Sequence, residues 1–260
     1  MSMATNRLPA VLSVLVLGCG SAADSPVPAA DSGGHAGRDT GEPGDVPVSG
    51  CVYGSNRSDA SLDVSGSIGD ILGDGPLTGV QVLDCETGLG QASGQDGTWT
   101  VATRDADFVT LLARLDGALP ARWVFDPRVE GSGGVPYQQY MLWSDAAGAI
   151  MAEIGVTRDA DAVVVMVDAV DPQSREMLSD VVVGTVPAAG AYMRISLEGR
   201  PEQSNTTNGL HNVAGLNVPA GVVSVTVDPG PGRTCRVPGP IEVPAGGLLA
   251  VTAYCSQTGR

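Results

Sequence analysis

The stretch LDVSGSIGDILGDGPLTGVQVLDCETGLGQASGQDGTWTVA, from Leu62 to Ala102, alternates short apolar runs with Gly, Asp and Pro. Leu62 to Ile68, Gly79 to Leu83 and Thr98 to Ala102 are each too short for a stable helix, and each is bounded by turn residues, so they read as strands. Asp74-Gly75 and Asp96-Gly97 supply the positive φ that a tight turn between strands needs. The segment is therefore β-structured.

The pattern continues on both sides. Phe108 to Leu115 and Arg122 to Phe125 are strand-like and flank the turn signal Asp116-Gly117. After Gly155 a second round begins, with Ala162 to Val167, a turn at Asp171-Pro172, Met177 to Val183, and Val223 to Val227 led in by Val218-Pro219-Ala220-Gly221. With 36 Gly and 18 Pro among 260 residues and many short Val-rich runs, the fold class is all-β. The expected organisation is two tandem small antiparallel β-sandwiches of transthyretin or immunoglobulin type, at 51–156 and 157–260. Residues 126–155 are the least regular. Gly131, Gly133 and Gly134 suggest a loop, and Tyr137, Tyr140, Met141, Leu142 and Trp143 form the densest aromatic cluster. That cluster reads either as a core plug or, through Tyr137, Tyr140 and Trp143, as a surface on which sugar rings stack.

The order Gly66-Ser67-Ile68, Gly75-Pro76-Leu77, Gly79-Val80-Gln81-Val82 and Gln95-Asp96-Gly97-Thr98-Trp99 resembles the carboxypeptidase regulatory-like domain, a small transthyretin-like sandwich of the carbohydrate-binding-like fold. The second round lacks the first-strand Gly and replaces the Asp-Gly-aromatic element with Asn208-Gly209-Leu210-His211, so it resembles the family less. The resemblance implies a fold and leaves the role open, because this fold hosts unrelated roles.

At the N-terminus, Arg7 precedes the apolar run Leu8 to Leu17, which is followed at once by Gly18 and Cys19. The run is too short to cross about 30 Å of hydrocarbon and reads as a signal peptide over 1–18. Val16, Leu17, Gly18 and Cys19 resemble a bacterial lipobox, which makes Cys19 the lipid attachment site. Two or three acyl chains, at about 0.8 kcal/mol per buried CH₂, anchor a protein stably. Gly20, where an Asp would retain an enteric lipoprotein in the inner membrane, points by the same resemblance to the outer membrane of the cell envelope. Residues 19–50 are rich in Gly, Ser, Asp and Pro and predict a disordered tether.

Cysteine parity fits this reading. Of five Cys, lipidating Cys19 leaves an even set, Cys51, Cys85, Cys235 and Cys255. The expected pairs are Cys51 with Cys85 and Cys235 with Cys255, one per module, the latter across neighbouring antiparallel strands. The chain contains no Lys, which rules out a Lys-Asn isopeptide crosslink.

A formal net charge of -15 repels a phosphate backbone, so no nucleic-acid partner is expected. Catalytic patterns are absent: no Gly-x-Ser-x-Gly, no Walker loop and no His-Glu-x-x-His occurs. His35 lies in the tether and His211 beside a predicted turn, where a solvated imidazole is expected. The close acidic pairs Asp105 with Asp107 and Asp159 with Asp161 are the only visible route to a carboxylate-dependent hydrolase. No calcium loop, zinc spacing or cofactor motif is present. The expected function is a non-catalytic, membrane-anchored envelope lipoprotein that binds a glycan or protein partner; an accessory or spacer subunit is the alternative.

Overall fold

A computed structural model describes residues 51, 57–71, 75–132 and 136–258. The signal at 1–18, Cys19, the tether with His35, and Asp74, Gly133 and Gly134 of the expected turns lie outside them. The first half contains β1 (Arg57–Asp70), β2 (Gln81–Asp84), β3 (Gly90–Ala92), β4 (Thr98–Ala106), β5 (Val109–Arg114), β6 (Ala121–Phe125), β7 (Tyr137–Met141) and the helix α1 (Ser144–Glu153). The second contains β8 (Val163–Val170), β9 (Ser179–Val186), β10 (Ala191–Ile195), β11 (Pro201–Gln203), β12 (Thr206–Asn208), β13 (Val213–Val218), β14 (Gly221–Asp228), β15 (Arg233–Arg236), β16 (Ile241–Val243) and β17 (Leu248–Gln257). The described residues are all-β apart from α1.

Three layers result. A large sheet runs β11-β10-β13-β8-β17-β6-β5-β2-β3, with β15 also paired to β17. On one face, residues such as Trp123, Phe125, Leu111, Val164, Leu216 and Ala250 pack against Val64, Trp99, Tyr137, Met141 and Met151 of the sheet β4-β1-β7 and of α1. The alternate residues Val124, Val165, Val167, Val213, Leu249 and Val251 pack on the other face against Val183, Val223, Val225 and Ile241 of the sheet β12-β9-β14-β16. Side chains of successive strand residues point to opposite faces, so one apolar run serves both cores. Burying each such Val, Leu or Phe contributes about 1.5 to 3 kcal/mol.

The expected pair of separate sandwiches takes a different form. β17 lies between β6 and β8 and pairs parallel with both, Leu248 with Ala121 on one side and with Val164 on the other. The two halves therefore share one sheet, and the described residues fall within a single compact unit. The reason is visible in LLAVTAYC, residues 248–255, all of them buried. A strand apolar on both faces needs a central position, and no edge of a small sandwich offers one.

Two turns behave differently from each other. Asp116-Gly117 joins β5 and β6 as a hairpin. Asp96-Gly97 instead carries the chain from β3 in the large sheet to β4 in the small one, with Gly97 at φ 73° and its would-be Cβ 2.5 Å from the Ile68 carbonyl oxygen. The irregular region 126–155 contains α1. Its end is marked by Gly155 at φ 75°, whose N–H donates to Ala152 while Val156 donates to Met151, the hydrogen-bond pattern of a Schellman stop.

Both expected disulfides are present, Cys51 with Cys85 and Cys235 with Cys255. The second joins register partners on β15 and β17, which are antiparallel as expected.

Candidate functional site

The aromatic cluster is divided among three environments. Tyr137 and Tyr140 stand three residues apart on β7, so their side chains leave opposite faces. Tyr137 is in the core, stacked on Phe125 with ring centroids 3.8 Å apart, and cannot serve as a stacking platform. Trp143 leads into α1, where it is half-buried, with its ring against Gly117. Tyr140 is 41% exposed. The expected three-residue surface reduces to Tyr140.

The neighbours of Tyr140 make that position specific. Gly69 of β1 is its register partner, and a Cβ there would meet the Tyr140 ring at 3.1 Å, so the ring lies close over the bare sheet. Gln138 donates to the Tyr140 hydroxyl at 3.2 Å and fixes the ring's polar end. Across the same outer face, Ser67 stands between Gln138 and Thr98, and Ser65 stands beside Thr100. These side chains are uncharged hydrogen-bonding groups on a chain of net charge -15, with Asp63 opposite Ala102 at the rim. Beyond the β4 edge the face runs into a groove of about 550 Å³ walled by Ser61, Thr87, Leu89, Gln91, Thr100 and Arg104. Arg104 is paired with Glu86 at 3.0 Å.

No family model matches this sequence, and no curated protein matches it. Solved structures to which the chain shows a loose similarity include the Bacillus anthracis TIE protein, at 9% identity and TM-score 0.24, over 76% of this chain and 34% of that one. A streptococcal ancillary pilin matches at 9% and 0.24, over 78% and 64%. The shaft pilin SpaA of Lactobacillus rhamnosus GG matches at 9% and 0.23, over 77% and 100%. The chain thus spans about a third of the first and just under two thirds of the second, and such loose superpositions carry no functional assignment.

The acidic pairs singled out in the sequence are engaged elsewhere. Arg128 bridges Asp105 at 2.6 Å and Asp107 at 2.9 Å. Asp159 accepts from the Asp161 N–H at 3.0 Å, a local turn on the surface. His211 does sit in a turn, where its N–H donates to Asn208 Oδ1, but it is half-buried and its Nδ1 is enclosed without a hydrogen-bond partner. The expectation of a solvated imidazole is corrected accordingly. Among the described residues no three of His, Cys, Asp and Glu form a metal-binding group.

Sequence reading missed a different carboxylate pair, Glu130 and Asp168. Burial, and then the negative charge of Asp168, pushes the Glu130 carboxyl up to about 7, against the pull of Arg175. Burial pushes Asp168 up to about 6, against a hydrogen bond with Asn212. The buried Tyr137 phenol, raised well above its usual value by burial and by Glu130, borders the same cluster. Nearby, Asp126 is held by Arg236 and by the Tyr254 hydroxyl, which accepts from the Asp126 N–H at 3.0 Å. Glu130 and Asp168 lie 38 positions apart by their numbering, so no local spacing signals the pair.

Proposed function

We propose that this protein is a lipid-tethered binding module of the bacterial envelope whose ligand is a glycan held on the outer face of β4-β1-β7. One observation carries the reading: the exposed ring of Tyr140 is laid over a glycine on a sheet face of hydroxyl and amide side chains. Sugar rings present apolar C–H faces and peripheral hydroxyls, so an aromatic plane flanked by Ser, Thr and Gln matches both. The resemblance of 62–102 to the carboxypeptidase regulatory-like domain is part of this proposal. It is supported by Gly66, whose would-be Cβ is 2.4 Å from the Trp99 ring. The tether and anchor rest on the resemblance of Val16 to Cys19 to a lipobox, and Gly20 in place of an Asp supports the outer membrane as the address.

Two results are expected. Cys19→Ser leaves the chain uncleaved by lipoprotein signal peptidase and unlabelled by radioactive fatty acid; continued labelling of the variant would remove the anchor from the proposal. Tyr140→Ala weakens retention on immobilised envelope or extracellular polysaccharide by about tenfold, equivalent to about 1.4 kcal/mol, with unfolding temperature unchanged. Unaltered retention of that variant, or no retention of the parent on any polysaccharide, would overturn the glycan assignment.

A further inference from the structure

We infer that the site takes an uncharged, extended oligosaccharide that runs from Tyr140 across β1 and β4 into the groove at Gln91, rather than a single sugar ring or an acidic polymer. This inference rests on the glycan reading above and specifies its ligand class. Three observations converge on it.

The first is continuity. Tyr140 on β7, Ser67 and Ser65 on β1, and Thr98 and Thr100 on β4 occupy one outer face, and Thr100 is also a wall of the groove. The path from β7 to β4 crosses two strand spacings, about 10 Å in all, before the groove begins. One ring covers only a part of that path.

The second is charge. An acidic polysaccharide needs cations, and the cation on this path, Arg104, is held by Glu86. Asp63 at the rim and the net charge of -15 add repulsion toward uronates, sulfates and phosphates. An uncharged chain meets no such penalty.

The third is the distribution of groups along the path. The aromatic platform stands at one end, Ser and Thr hydroxyls in the middle, and the exposed Gln91 and Thr87 at the groove end. Hydroxyls and amides both donate and accept, as the alternating hydroxyls of a neutral sugar chain require.

The test is titration calorimetry of the mature protein with neutral linear oligosaccharides (cellohexaose, xylohexaose, mannohexaose and their disaccharides) and with oligogalacturonate as the acidic probe. The expected result is that at least one neutral hexasaccharide binds about tenfold tighter than its disaccharide, and that oligogalacturonate does not bind at low salt. Tyr140→Ala is expected to weaken both neutral lengths, whereas Gln91→Ala weakens the hexasaccharide about threefold and leaves the disaccharide unchanged. Equal affinity for the two lengths, Gln91→Ala without effect, or binding of oligogalacturonate would each overturn the inference while leaving a glycan site at Tyr140. Absence of binding by every saccharide, neutral and acidic, would overturn both readings.

Discussion

Gly66→Ala is expected to destabilise the protein by about 3 kcal/mol or more. Gly66 lies on β1 opposite Trp99 of β4 and opposite Tyr137 of β7. A Cβ at this position would stand 2.1 Å from the Tyr137 carbonyl oxygen and 2.4 Å from the Trp99 ring. The first contact is with backbone that is fixed by the β1-β7 ladder, and the second is with a ring 2% exposed whose centroid is 6.1 Å from that of Trp123. Neither can move without opening the core between the small sheet and the large one. Urea unfolding of parent and variant checks this, and a midpoint unchanged by Gly66→Ala would show that the sheet spacing is set otherwise.

Stability is also expected to fall as pH rises from about 4.5 to about 7. Glu130 titrates near 4.5 when unfolded and at about 7 when folded, and Asp168 near 3.8 and about 6. In that window the unfolded chain has lost protons that the folded chain retains, so the stabilising contribution is complete below the unfolded values and gone above the folded ones. The chain's net charge of -15 also builds self-repulsion with pH. The decisive comparison is therefore with Glu130→Gln, which is neutral throughout and should be more stable than the parent by about 1 to 3 kcal/mol at pH 8, with the two nearly equal at pH 4.5. Parallel pH profiles for parent and variant would show that Glu130 is not strained in the fold.

The strands were legible because each is short, apolar on at least one face and bounded by turn residues. Leu62 to Ile68, Arg122 to Phe125 and Val223 to Val227 all fall within observed strands. The disulfide pairing was legible for the same reason, since Cys235 and Cys255 sit on two readable antiparallel strands. What sequence could not convey is which strands become neighbours. Asp96-Gly97 has the chemistry of a hairpin yet joins two different sheets, because turn residues fix a local bend and leave the partner of the following strand open. The burial of LLAVTAYC on both faces was a signal for a central strand, and it outweighed the modular reading. In the candidate site, the three-residue spacing of Tyr137 and Tyr140 already implied opposite faces once 137–141 is taken as a strand. The helix that follows was obscured by Gly148 and by the surrounding glycines, although Ser144 to Glu153 is otherwise rich in helix formers. Gly69, which makes room for Tyr140, belongs to a strand far away in sequence and could be connected to it only through the parallel pairing of β1 with β7.

The central place of β17 has a bearing on how the chain is made. Asp126 and Tyr254, joined across this region, are 128 residues apart in sequence, and the ladders on either side of β17 close loops of comparable or greater than domain-fragment length. Such non-local pairing is slow, since loop-closure entropy precedes any gain from contact. Until residues 248–257 have been synthesised, neither half can complete its sheet, so a chain interrupted before them is left with open sheet edges at β6 and β8.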